Sequence, residues 1–238
     1  MSHDESPLER SLKALSTYLF SGRVLMDTIE EISQRALEAV PSAEFIAVIA
    51  ALNGKPKTPV YSDQRALDLD LVQYEADRGP CLDSFRDTQL YIIDDTRNEH
   101  RWPEFCAAAV ERGVLSTMSL PLAAGEVHLG AMNLYASAPS SFGEHEHDIG
   151  SAFAAQASIL LANAQAYHDA QTMGENLTMA MQSRAVIEQA KGIIISSTGC
   201  TGDEAFEQLT RQSQHENVKL REIAADIVRT AQRRTRTT

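Results

Sequence analysis

The chain has 238 residues, 43% of them apolar and 23% charged, and its 33 acidic and 21 basic side chains leave a formal net charge of −12. That length suffices for two domains of ordinary size, and the composition is that of a folded globular protein rather than a disordered one. The acidity argues against broad, nonspecific binding of nucleic acid or membrane by the bulk of the chain. No apolar run approaches the roughly 20 residues needed to span a bilayer. The first ten residues, MSHDESPLER, lack the basic start and apolar stretch of a secretory signal. Three widely spaced cysteines, Cys81, Cys106 and Cys200, give neither a disulfide framework nor a metal-ligand spacing. A reducing cytoplasm is the expected compartment.

Leu8, Leu12, Leu15 and Leu19 predict a helix over Leu8–Phe20, ended by Ser21-Gly22. A second helix is expected over Val24–Val40, with Leu25, Ile29, Ile32, Ala36 and Val40 on one face and Pro41 closing it. Ala43–Leu52 is a continuous apolar run of strand length. Asn53-Gly54-Lys55-Pro56 reads as a turn, and Thr58–Ser62 as a second strand. Residues 63–88 follow no clear period and are expected to be irregular and mobile. Gln89–Asp94 reads as a strand and Pro103–Arg112 as a helix, with proline suited to its first turn. Leu115–Leu122 and His128–Tyr135 read as central strands joined by Ala124-Gly125-Glu126. Together these predict an α+β sheet domain.

Three phrases carry a resemblance: RGPCLDSFRDTQLYIIDD, the RWPEF segment with GVLSTMSLPL, and LGAMNLYASAPSSF. They resemble a GAF domain, the small-molecule sensor fold, over about residues 8–165. The resemblance implies an antiparallel sheet with helices and a possible small-molecule ligand. The cyclic-nucleotide NKFDE motif is absent, and there is no haem or bilin attachment pattern. The ligand and any cofactor therefore stay unassigned. Cys81 and Trp102 are the candidate pocket residues. Trp102 stands in His100-Arg101-Trp102, which resembles a family loop near the pocket rim.

A long helix is predicted from Phe142. Ile149, Phe153, Ala157, Leu160, Ala164 and Tyr167 alternate by four and three, the seam of a paired helix. A shifted seam, Met173, Leu177 and Ala180, leads on to Ile187. Met173-Gly174 is thus the expected joint, and a helical homodimer is expected along residues 150–187. The expected division is 1–165 for the sensor, 166–182 for a helical linker and 183–238 for the last module. In that module Val186, Ile187, Ala190, Ile193 and Ile194 form one helix face, ended at Ser196-Ser197-Thr198-Gly199. Thr201 and Glu204 have capping-box spacing for a second helix, with Ala205, Phe206 and Leu209 inward. Asn217 is expected to N-cap a third, which buries Leu220, Ile223, Ala224, Ile227 and Val228. Gly192, inside a helix, costs about 1 kcal/mol relative to alanine, which suggests close approach of a neighbouring helix or a ligand. A bland bundle does not require Arg184, Gln189, Lys191, Arg211, Ser213, Gln214, Asn217, Lys219 and Arg221.

RAVIEQAKGIII, DEAFEQL and RQSQHENVKLREIA closely resemble the ANTAR domain, and the resemblance covers Gln182 to about Arg229. It implies an all-α three-helix bundle on a dimerising helix, binding paired leader-RNA hairpins to promote transcription antitermination. The RNA-binding set it implies is Arg184, Gln189, Ala190, Lys191, Gly192, Arg211, Ser213, Asn217, Lys219 and Arg221. The preceding module is similar to the GAF modules fused to ANTAR domains in actinobacterial proteins. Charge agrees. From Ser183 onward nine basic residues face seven acidic ones, net +2, while the remainder carries 12 against 26, net −14. Only the C-terminal segment could attract a phosphate backbone.

Two other readings stand beside this one. Cys81 sits at a predicted helix start, where a thiolate would be favoured. A redox enzyme or thiol sensor acting through Cys81 is the alternative; the enzyme would need a resolving thiol nearby, and only Cys106 is available. The three-helix bundle could instead bind DNA, though it lacks a basic recognition helix. His145 and His147 are two apart on a helix start and would not chelate a metal together. No receiver-type phospho-acceptor, Ser-His-Asp set or phosphate-binding glycine loop is visible, so no enzyme activity is expected.

Overall fold

The computed structural model describes residues 6–18, 25–52 and 55–235. It divides into two compact units, Met1–His168 and Asp169–Thr238. The expected helix end at Ser21-Gly22, the start at Val24 and the turn at Asn53-Gly54 lie outside the described residues.

In the first unit, helices α1 (Pro7–Tyr18) and α2 (Leu25–Ala39) precede strands β1 (Phe45–Leu52) and β2 (Lys55–Tyr61). Then come α3 (Gln64–Ala76), α4 (Pro80–Asp87), β3 (Tyr91–Ile93), α5 (Pro103–Glu111), β4 (Ser116–Ala124) and β5 (Val127–Ala136). The five strands form one antiparallel sheet in the order β2-β1-β5-β4-β3. Helix α6 (Glu144–Thr198) begins here and continues into the second unit.

Successive strand residues point to opposite faces, and both faces of the central strands are covered. Ile46, Val48, Met118, Leu120, Met132 and Leu134 pack with α1, α2 and the start of α6. Phe45, Ala47 and Tyr135 pack with Leu69, Trp102 and Phe105 on the other side. Two-sided burial explains why β1 reads as an unbroken apolar run. Strands β1 and β5 approach so closely that a Cβ at Gly130 would lie 2.0 Å from the Ile49 carbonyl oxygen.

Residues 63–88 correct the expectation of an irregular, mobile segment. They form α3 and α4. Asp63 caps α3, its carboxylate accepting from the Arg65 N–H at 2.8 Å, and Asp77 ends the helix in the left-handed region at φ 51°. Pro80 opens α4 and Thr88 closes it at φ 55°. The apolar period was missing because the inward face of α3 includes Asp70 and Gln73 beside Ala66 and Leu69.

The predicted seam on α6 is corrected in its first half. Phe153, Ala157 and Leu160 are buried against their own sheet with Met118 and Leu120. A four-three spacing reports that a helix has a covered face, not what covers it. Farther on, residues 166–182 are all exposed, with Tyr167 at 56%, Met173 at 75% and Leu177 at 62%.

The second unit packs the end of α6 with α7 (Gly202–Glu216) and α8 (Leu220–Thr235). Ala190, Leu209, Ile223 and Ala224 are its buried centre, with Val186, Ile187, Ile194, Leu220, Ile227 and Val228 partly buried around them. α6 ends before Gly199, which takes φ 73°. The capping box forms as expected, Thr201 Oγ1 accepting from the Glu204 N–H and Glu204 Oε2 from the Thr201 N–H. Two expectations fail. Asn217 does not start the third helix; it ends α7 at φ 53°, its N–H donating to the Ser213 carbonyl. Its tolerance of the left-handed region suits a helix end as well as its side chain suits a start. Phe206 is 44% exposed rather than inward. It lies about 100° round the helix from Ala205, outside the strip that Ala205 and Leu209 share.

Candidate nucleic-acid interface

The RNA-binding set falls into distinct environments. Arg184, Gln189, Gly192, Arg211, Asn217, Lys219 and Arg221 are exposed, Lys191 and Ser213 are half-buried, and Ala190 is fully buried. Ala190 therefore packs the bundle and presents no side chain to a ligand. Ser213 is tied into the α7–α8 corner, its hydroxyl donating to the Val218 carbonyl at 2.6 Å. Lys191 Nζ donates to both Glu188 carboxylate oxygens at 3.0 Å, and Arg211 pairs with Glu207 at 2.9 Å. Such surface pairs are worth at most about 1 kcal/mol, so a phosphate can displace the carboxylate. Among the described residues Arg184, Lys219 and Arg221 have no side-chain partner.

Lys191 and Gly192, adjacent in sequence, do not share a surface. At about 100° per residue, Gln189, Gly192 and Ser196 form one strip of α6, while Arg184 and Lys191 lie on another. The first strip borders a groove of about 600 Å³ whose far wall includes Val228 and Gln232 of α8. Its lining carries no charged side chain. A Cβ built at Gly192 would meet nothing within 4 Å, so no neighbour in the bundle requires glycine there. The groove residues Ser196 and Gln232, and the exposure of Phe206, were not anticipated. Angular position round α7 would have flagged Phe206, but Gln232 belongs to the site only through the packing of α8 on α6.

In the sensor unit the two pocket candidates occupy separate clusters. Cys81 packs with Ile49, Ala131, Tyr74 and Phe85. Trp102 packs with Phe105, Cys106 and Tyr91, and its indole N–H donates to Asp83 Oδ2 at 2.6 Å. Both are buried, at 0% and 3% exposure. The expectation of a favoured Cys81 thiolate is corrected: burial pushes the thiol well up, and the nearby Asp70 adds to it. Cys106 is pushed to about 11, first by burial and then by Glu99. Both thiols are free, and they belong to different clusters.

Between the sheet and α3 lies a buried polar network. Asp70 Oδ2 accepts from the Thr58 hydroxyl at 2.8 Å. Its Oδ1 accepts from Gln73 Nε2 and Asn133 Nδ2, each at 3.1 Å, and from the Tyr135 hydroxyl at 3.4 Å. Gln73 Oε1 accepts in turn from the Cys81 N–H at 2.9 Å, and Asn133 Oδ1 from the Ser119 hydroxyl at 2.7 Å. Burial outweighs these donors and raises the Asp70 carboxyl to about 7. Among the described residues no group of three or more His, Cys, Asp or Glu could hold a metal ion, and no helix is long and apolar enough to cross a membrane.

Comparison with known proteins agrees with this division. A family model for the GAF domain matches residues 26–162, and one for the ANTAR domain matches residues 175–228. Among curated proteins none matches the chain in sequence. Solved structures share the sensor fold. A domain of a protein described as a two-component sensor histidine kinase of Sinorhizobium meliloti 1021 is similar at 11% identity and TM-score 0.51, covering 63% of this chain and 98% of its own. The GAF domain of an Acinetobacter phosphoenolpyruvate-protein phosphotransferase gives 11% and 0.48, over 66% and 93%. A type II free methionine-R-sulfoxide reductase of Thermoplasma acidophilum gives 13% and 0.45, over 58% and 92%. At these identities the likeness concerns fold alone. The sheet with its helices and the three-helix bundle on α6 thus have their family: the chain belongs to the GAF-domain proteins, with an ANTAR domain following the sensor.

Proposed function

We propose that this protein is a signal-responsive, non-catalytic regulator that binds paired leader-RNA hairpins through its ANTAR domain and promotes transcription antitermination in the cytoplasm. The observation that carries this reading is the ANTAR match over residues 175–228. Physical features support it. Arg184, Lys219 and Arg221 offer exposed cations to phosphates, and the side chain of Gln189 is exposed. The exposed Phe206 offers a ring on which a loop base can stack, the usual way proteins read unpaired RNA. In this reading the chain acts as a homodimer, the exposed α6 segment 166–182 supplying the pairing surface, and the domains divide near 165 and 182. Two modestly attractive modules held together bind where one would not. The GAF domain takes a small molecule and shifts the pairing of α6 through its differential affinity for two arrangements.

The test is binding of a tandem-hairpin RNA and a duplex DNA of equal length, at several salt concentrations. The expected outcome is preference for the RNA and a loss on Lys191→Ala of about threefold to tenfold. Equal affinity for RNA and DNA would remove the reading. The redox alternative at Cys81 finds no support in a thiol that burial holds protonated.

A further inference from the structure

The four donors closed round Asp70 are all uncharged, and they differ in what else they can do. At Oδ1, Gln73 and Asn133 each give an amide N–H, and Tyr135 gives a more distant hydroxyl at 3.4 Å. An amide nitrogen donates and does not accept. At Oδ2 the donor is the Thr58 hydroxyl, at 2.8 Å. A hydroxyl accepts as readily as it donates. Oδ2 is therefore where a proton on Asp70 finds an acceptor.

Thr58 Oγ1 lies 2.7 Å from the Tyr74 hydroxyl, and either can donate to the other. The three groups form a chain with two settings. With Asp70 ionised, Tyr74 donates to Thr58 and Thr58 to Oδ2. With Asp70 neutral, Oδ2–H donates to Thr58 and Thr58 to Tyr74. Only hydrogens differ between the two. The chain runs from a carboxyl with no exposure to the half-buried Thr58 and Tyr74, and Thr58 stands on β2 at the edge of the sheet. Burial raises Asp70 to about 7 against the pull of its donors. The other titratable groups beside it do not compete for its proton. Tyr74 of α3, Tyr135 of β5 and Cys81 of α4 are all raised, first by burial and then by Asp70, and keep their own protons near neutral pH. β1 has no titratable side chain. Lys57 of β2, Arg86 and Asp87 of α4, and Glu104 and Glu111 of α5 are exposed, and Asp83 accepts from the Trp102 indole.

We infer that Asp70 is a proton-binding regulatory site of the first unit, filled and emptied through Thr58 and Tyr74. Its neutral form holds α3 and α4 on the sheet, and its ionised form favours an arrangement that admits water to the carboxylate. A buried charge with only uncharged partners is costly, and water relieves that cost. Asp70 is tied directly to β2 and β5, and to α4 through Gln73, whose Oε1 accepts from the Cys81 N–H at 2.9 Å. A movement that wets Asp70 therefore loosens α3 and α4 together. The proton is the ligand here, and its differential affinity for the two arrangements shifts their populations. The site works in the same way whether or not the second unit binds RNA.

The experiment uses the full chain, carbon-13 labelled at the aspartate side-chain carboxyls. Wild type, Asp70→Asn and Tyr135→Phe are titrated by NMR from about pH 5 to about pH 9, and amide exchange is followed near both ends of the upper half of that range, corrected for the intrinsic rate. One aspartate should titrate with a midpoint near 7 and be missing from Asp70→Asn. Tyr135→Phe takes a donor from the charged form and should move that midpoint upward. As pH rises through the midpoint, the amides of α3 and α4 should lose about tenfold in protection relative to the rest of the first unit. Asp70→Asn, which sets an amide nitrogen where the protonated oxygen stands, should keep its protection throughout. An absence of any aspartate midpoint above the ordinary carboxylate range overturns the site. So does an equal loss of protection across the whole first unit, which leaves Asp70 a group of global stability only, or the same local loss in Asp70→Asn. If Asp70→Asn does not fold, Tyr135→Phe decides: a midpoint that stays in place overturns the assignment.

Discussion

At the scale of single residues, Asp70 joins composition to energetics most directly. Four donors converge on a carboxylate with no exposure to water, and its proton is held to about 7. In the unfolded chain an aspartate titrates near 3.9. Between these values the folded protein binds a proton that the unfolded chain has lost. Stability from this group is therefore greatest at low pH and falls as pH rises, with a slope approaching about 1.4 kcal/mol per pH unit, levelling off above about 7. The carboxylates held low by local hydrogen bonds, such as Glu204 at its cap, lose their contribution only below the usual carboxylate range. The window from pH 5 to 8 spans the upper part of the Asp70 range. Urea unfolding followed by the fluorescence of Trp102, the single tryptophan, should show wild-type stability dropping across that window. In Asp70→Asn the drop should shrink markedly; an unchanged drop would place the titrating proton elsewhere.

At the scale of elements, local signals worked where the chain settles its own hydrogen bonds. The Thr201–Glu204 box could be read from spacing, and it forms with reciprocal bonds. Thr201→Ala removes the side-chain acceptor and should cost the bundle about 1 kcal/mol, measured as a lowered helix-melting midpoint by circular dichroism. Trp102 fluorescence should not register it, because that residue belongs to the other unit. Helices α3 and α4 were illegible for the opposite reason. Their inward positions include the polar side chains of Asp70, Gln73 and Ser84, and Asp70 and Ser84 find partners far off in sequence. A period count cannot credit a buried aspartate whose donors include Asn133 and Tyr135.

At the scale of the whole molecule, α6 joins the GAF domain to the ANTAR domain, because it contributes to the cores of both units. Between those cores residues 166–182 have no cover of their own, and a bare helix of that length is marginal in water. The pairing surface proposed for it includes Met173 and Leu177. Light scattering should give a dimer for the wild type. Met173→Glu with Leu177→Glu should give a monomer that keeps its sensor fold. The same double variant should lose most of the advantage that tandem hairpins hold over a single one. A wild-type monomer at micromolar concentration would exclude this arrangement.

The sequence by itself determined the strands and most helices, the α7 cap, the charge division between the modules and the family resemblance of each. These depend on local periodicity, on backbone groups satisfied within a few residues and on motifs read in order. Tertiary structure decided the rest. It turned Phe153 and Ala157 inward to their own sheet and moved Asn217 from the start of one helix to the end of another. It also brought Gln232 beside Gly192 and closed four donors round Asp70. Each of these turns on which surface covers a given face, and a face acquires its cover only when distant segments pack.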